Sequence, residues 1–333
     1  MIWRDCDLLV AWLAAERGRL LRELLGIDER ALTTVPVFSN WTATNLLAHI
    51  GDYDRVFAER IELVLNGNPE RIEPIDDLDV NNVPLHERIR HWSLEASVDY
   101  LEGMRRKFLS ALEYFPDEDL DRDIPVSWGT ARVRTWIEWR HKHDFGHADD
   151  LRAWREKYAY DGWNGPKAIL LATIRAARAD LLATMTLVPK AERETRLVCG
   201  EWTLKDVAGH MADWTTYFLG CVAIMQGENP PDGWEQPEDE ADAYNARRQA
   251  ARRDQPWIQV WAEFNARYST LRECLEKLTD EQINQQQVTT PYASIYECAW
   301  SSLEHDLDHA AVIRAALQLE MPSRLLTFSG PFT

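Results

Sequence analysis

The chain has 333 residues, and length alone suggests about two domains. Acidic residues outnumber basic ones 55 to 37, a formal charge of −18, and no basic stripe interrupts them, so a phosphate backbone is repelled and no nucleic-acid partner is expected. No stretch approaches the roughly 18 apolar residues that span a bilayer, which excludes a membrane-embedded class.

Taken in chain order, the apolar run Leu8 to Ala15 is broken by Glu16 and Arg17, too early for the processing site of a secretory leader. Leu8, Leu9, Trp12, Leu13, Leu20, Leu21 and Leu24 recur at helical spacing and predict a first helix. A second helix is expected to start at Thr42 as N-cap, with Trp41 as a hydrophobic staple, and to end at Gly67-Asn68-Pro69. A third is predicted over His86 to Tyr114 and a fourth over Val133 to Lys157, with a junction at residues 158–162. The pattern then starts again. Ile169, Leu170, Ile174, Leu181, Leu182 and Met185 repeat the first helix, and Trp202-Thr203 opens the second, with Asp206 placed to complete a capping box. The third and fourth repeat over Pro256 to Leu278 and Ser294 to Leu319. No strand pattern of useful length appears. The motifs of one half recur 161 to 163 positions on: His49 meets His210, His143 meets His305, and Leu112 meets Leu275. A near-constant offset over most of the chain means internal duplication. The expected fold is all-α: two tandem four-helix bundles, residues 1–158 and residues 163–333.

Each half keeps one histidine triad. His143 and His147 stand four apart on a predicted helix, as do His305 and His309, so each pair stacks one turn apart on one face. His49 and His210, on the second helices, supply a third imidazole. Three nitrogen ligands suit zinc, nickel, iron or copper and leave coordination positions open, the pattern of a working site more than of a structural one. The other histidines, His86, His91 and His141, have no counterpart and are expected at the surface or in caps.

Other positions carry weaker expectations. Asp52 and Asp213, three residues after the second-helix histidine, either orient it or are solvated helix acids. Asp144 and Asp306 follow a histidine by one position, about 100° round the helix, and are expected to be exposed. Arg152 and Arg314 match, and a cation near a helix C-terminus is favoured by the dipole alone. Trp139, Trp214 and Trp300 lie within a few turns of the triads and are candidates to wall a pocket. The five cysteines are odd in number and show no CxxC spacing, so they read as reduced thiols in a cytoplasmic protein.

The pattern Trp-Thr…His…Asp on the second helix, then His-Asp-x-x-His-Ala on the fourth, resembles the DinB-like superfamily of bacterial metal-binding bundles, once per half. That resemblance implies metal ligands at His49, His143 and His147, and at His210, His305 and His309, with a divalent transition metal, zinc or nickel first among them. It also implies chemistry on a small-molecule substrate: transfer or isomerisation with a low-molecular-weight thiol as co-substrate, or hydrolysis by metal-bound water. A non-catalytic binding or sequestration protein is the alternative. Family members are commonly single domains that pair, so the fused chain is expected either as a monomer whose halves imitate a dimer or as a homodimer. Gly146, inside the first HxxxH, is the one local departure, costing about 1 kcal/mol of helix propensity relative to alanine.

Overall fold

The computed structural model describes residues 5–74, 78–237 and 241–319. Two compact units meet between Asp161 and Gly162. Residues 1–4 and 320–333, included in the expected domains, lie outside the described residues.

In the first unit, α1 (Asp5–Arg22) and the short α2 (Glu29–Thr34) lead into a hairpin of β1 (Pro36–Phe38) and β2 (Trp41–Thr42). Helix α3 (Ala43–Leu65) starts directly from that hairpin. Thr42 accepts from the Asn45 backbone N–H while the Asn45 side chain returns a bond to Thr42, a reciprocal box that pins the helix start. Next come α4 (Leu78–Ile89), α5 (Leu94–Glu113), a second hairpin of β3 (Ile124–Val126) and β4 (Gly129–Ala131), and α6 (Val133–Tyr158). The packing pairs α3 with α5 and α1 with α6. Gly51 permits the first contact, because a Cβ there would stand 3.0 Å from the Leu101 Cα. The apolar stripes of these four helices meet in a core that includes Leu9, Leu13, Phe57, Ile61, Phe108 and Ile137. Each such side chain contributes roughly 1.5–3 kcal/mol by its removal from water.

The second unit repeats the plan with α7 (Lys167–Thr186), the hairpin β5 (Leu197–Cys199) and β6 (Trp202–Thr203), α8 (Leu204–Met225), α9 (Ala241–Arg252), α10 (Trp257–Lys277), α11 (Asp280–Asn284) and α12 (Ile295–Ala316). Here α7 packs on α12 and α8 on α10. Thr203 and Asp206 form the same capping box. The fold is all-α, with sheet confined among the described residues to three two-stranded hairpins.

Two expectations are corrected. The stretch from His86 to Tyr114 is two helices, not one: α4 ends at Ile89, and Ser93 caps α5 by accepting from the Ala96 N–H. The second unit carries a matching extra helix, α9, between its second and third bundle helices. The hairpins also went unpredicted, since strands of two or three residues are too short to show a period.

Candidate metal centres

In the first unit, the capped start of α3 places His49 two turns into the helix, facing the middle of α6. The His49 Nε2 lies 3.1 Å from the Nε2 of His143, and the Nε2 of His147 lies 3.3 Å from the same atom. All three expected ligands therefore aim one nitrogen at a common point. Aromatic rings surround them: Trp139 stacks on His143 at 4.9 Å, Tyr53 lies 4.7 Å from His143 and 4.9 Å from His49, and Phe38 stacks on His147 at 6.3 Å. Trp41 meets the His49 ring edge-on at 5.3 Å, so it walls the site in addition to preceding the cap. Burial pushes His49 down to about 3, with His147 and Arg140 adding to the effect, and holds His143 well below the ordinary imidazole value. Near pH 7 these two rings are neutral, as metal ligation requires.

The second unit builds the same arrangement from α8 and α12. The Nε2 atoms of His210 and His305 are 2.8 Å apart, and those of His309 and His305 3.1 Å. Trp202 lies 4.8 Å from His210, and Trp214 5.9 Å from His305. Burial lowers His210 to about 3, His309 to about 4, and His305 well below its usual value. In each unit the candidate ligand atoms all lie within 4.8 Å of one another. Imidazole nitrogens bound to one ion at about 2.0–2.1 Å, at angles from a right angle to tetrahedral, stand roughly 2.8–3.4 Å apart, which covers the four Nε2 distances above, so both donor sets fit a metal ion.

What lies behind the ligands differs from expectation. Asp144 and Asp306 are buried, not exposed. Asp144 accepts from Arg17 at 3.0 Å, Arg105 at 2.5 Å and Arg140 at 2.7 Å, and Asp54 accepts from the same three arginines at 2.9 to 3.0 Å. Burial alone would raise the Asp144 carboxyl, but Arg17, Arg140 and Arg105 hold it below the usual carboxylate range. The fourth helix touches neighbours on two sides, so a position 100° from the histidines faces α1 and α5 instead of water. In the second unit the cluster reduces to one pair, Arg178 on Asp306 at 2.9 and 3.0 Å, with the Tyr268 ring 4.3 Å from the guanidinium. With only one arginine as partner, burial dominates and pushes Asp306 up to about 6.

Asp52 and Asp213 fill neither expected role. Asp52 binds Arg55, Arg88 and Tyr100, and Asp213 binds Arg248 and Arg252, tying α3 to α4 and α8 to α9. Arg152 and Arg314 do more than answer a dipole: Arg152 on α6 bridges at 2.9 Å to Glu23, just past the end of α1, and Arg314 on α12 bonds Asp180 and Thr184 on α7. His91 is exposed as expected, but His141 is buried beside Trp12 and Glu16, and His86 packs 4.6 Å from Trp41. Of the three tryptophans, Trp139 and Trp214 wall their triads, whereas Trp300 pairs with Trp163.

Sequence reasoning passed over Tyr53 and the buried arginines. One signal was available: Arg17 stands four residues after Leu13, on the apolar stripe where a charge demands a buried partner.

Tyr53, which packs on the first triad, also bounds a cavity of about 610 Å³ together with Asp52, Arg55, Arg60, Arg71 and Arg88; no histidine of the triad lines it. In the second unit Trp234 covers Gly220, at the position Glu59 holds in the first, and bounds a cavity of about 200 Å³ with Tyr217, Cys221 and Pro291. Among the described residues, no helix is long and apolar enough to cross a membrane.

Residues 13–151 and residues 173–313 each match the family model of the DinB superfamily. No curated protein and no solved structure matches the chain.

Proposed function

The chain belongs to the DinB superfamily, once in each half, and on that footing we propose that it is a metal-dependent enzyme acting on a small molecule. The observation that carries this reading is the convergence of six histidines into two three-nitrogen sets. His49, His143 and His147 would hold one divalent transition metal, zinc or nickel, and His210, His305 and His309 another. Such an ion, when bound, supplies Lewis acidity and lowers the pKa of a coordinated thiol or water, which makes the protein a transferase using a low-molecular-weight thiol or a hydrolase.

The chain's own residues define the rest. His147, half-buried, marks the open side of the first triad. Trp139, Tyr53 and Phe38 line the walls and limit water, and the cavity that Tyr53 also bounds is of a size suited to a small organic molecule. Five cysteines, odd in number and without CxxC spacing, fit a reducing compartment such as the cytoplasm. The test is metal content of the purified chain after zinc or nickel loading, followed by a screen of biological thiols against electrophiles. Turnover that needs the ion supports the enzyme. Bound metal without turnover of any pair or any hydrolysable substrate favours sequestration, and a chain that takes up neither ion overturns the proposal.

A further inference from the structure

Superposition of the two halves by sequence offset pairs Arg17 with Arg178 and Asp144 with Asp306, but Asp54 with Thr215, Arg105 with Tyr268 and Arg140 with Ser302. At these aligned positions the first unit therefore holds three guanidinium groups and two carboxylates, the second one of each. Arg140 is fully buried and reaches past the acids to the first triad itself: its Nη1 stands 2.8 Å from the His143 Nδ1.

A guanidinium has donors only. The His143 Nδ1 must accept that bond, so the proton of the neutral ring sits on Nε2, the atom aimed at His49 and His147. A metal ion entering the first triad must displace this proton or break the Arg140 contact, and it meets the Arg140 guanidinium directly behind one of its ligands. His305 lacks the equivalent of this contact, since Ser302 occupies the position of Arg140, although the Arg178 guanidinium also acts on the ring. One feature acts the other way: Asp150 accepts from the His147 Nδ1 at 3.1 Å, which favours a lone pair on the His147 Nε2, and Val312 replaces it in the second unit. Asp150 is half exposed and screened by water, whereas Arg140 has no exposure, so the guanidinium prevails.

Resting on the reading of both triads as metal sites, we propose that the two halves load unequally: His210, His305 and His309 form the tight site, and Arg140 makes the first triad the weak one. Partners that hold a ligating histidine from behind commonly change metal affinity 10- to 100-fold, so a gap of at least about tenfold is expected. The experiment is zinc titration of the full chain against a chromogenic chelator. Wild type should give two classes of site; His309→Ala should remove the tight class, His147→Ala the weak one, and Arg140→Ser should tighten the weak class by about tenfold. The assignment from His147→Ala and His309→Ala stands even if Arg140→Ser fails to fold. Two equal sites, or loss of the tight class in His147→Ala, would overturn this inference and leave the metal-site reading intact. No zinc binding at all would defeat both.

Discussion

Replacing Asp54 with asparagine changes shape little but removes one of two carboxylates that hold three buried guanidinium groups together. Arg17, Arg105 and Arg140 each donate to Asp54 at 2.9 to 3.0 Å, and Asp54 itself has no exposure. In Asp54→Asn the cluster keeps three cations and one anion, and the new amide N–H₂ faces donors. Breaking a buried ion pair from one side costs about 3–5 kcal/mol, because the remaining charge stays out of water. At about 1.4 kcal/mol per decade, the local opening equilibrium should rise by between about 10² and 10⁴. Native-state hydrogen exchange of the α3 and α6 amides, with denaturant melts alongside, reads this directly. The equivalent position in the second unit is Thr215, whose hydroxyl donates to the Met211 carbonyl at 2.7 Å. Thr215→Ala should therefore cost only about 1 kcal/mol, the net worth of one hydrogen bond. A loss below about 1 kcal/mol for Asp54→Asn, matching that of Thr215→Ala, would show that the cluster is solvated or rearranges freely, and the argument from buried charge would fail.

Three further outcomes follow from the geometry. His305→Ala and His143→Ala, made separately, should each abolish one triad's metal uptake while circular dichroism keeps its helical signal, since the bundles fold by apolar burial; a variant that unfolds outright would make the triads structural. Gly220→Ala should push Trp234 off α8, because the new Cβ would come within 1.8 Å of the indole, with a red-shifted tryptophan emission and a loss of about 1–3 kcal/mol; an unchanged spectrum would refute the packing. Gly146→Ala, whose Cβ meets nothing within 4 Å in the unbroken α6, should raise thermal stability by up to about 1 kcal/mol, and a fall in the melting temperature would count against it.

The parts of this molecule that sequence reveals are those written at short range. His143 and His147, and the Thr42 and Thr203 caps, depend on spacings of three or four residues, and the duplication displays each of them twice. Charge pairing across the bundle has no such local sign. Arg17 and Asp144 are 127 residues apart, and nothing in the helical period of α6 says that the face next to the histidines is covered. The same reasoning explains Asp52 and Asp213, whose partners Arg88 and Arg252 arrive on α4 and α9, helices hidden in stretches of weak periodicity. The break before α5 was readable from Ser93 as a cap. The fit of Trp234 on Gly220 was not, because it joins a helix to a loop by shape alone.

The two solutions found behind the histidines also constrain how one half could have become the other. The order of the changes matters more than their number. Losing an arginine first leaves two guanidinium groups facing two carboxylates, whereas losing Asp54 first leaves three facing one, the costlier imbalance in a buried site. A stepwise path to the Thr215, Tyr268 and Ser302 arrangement keeps its charges best matched when an arginine goes before Asp54. The same three substitutions therefore lead through stable or unstable sequences according to which comes first.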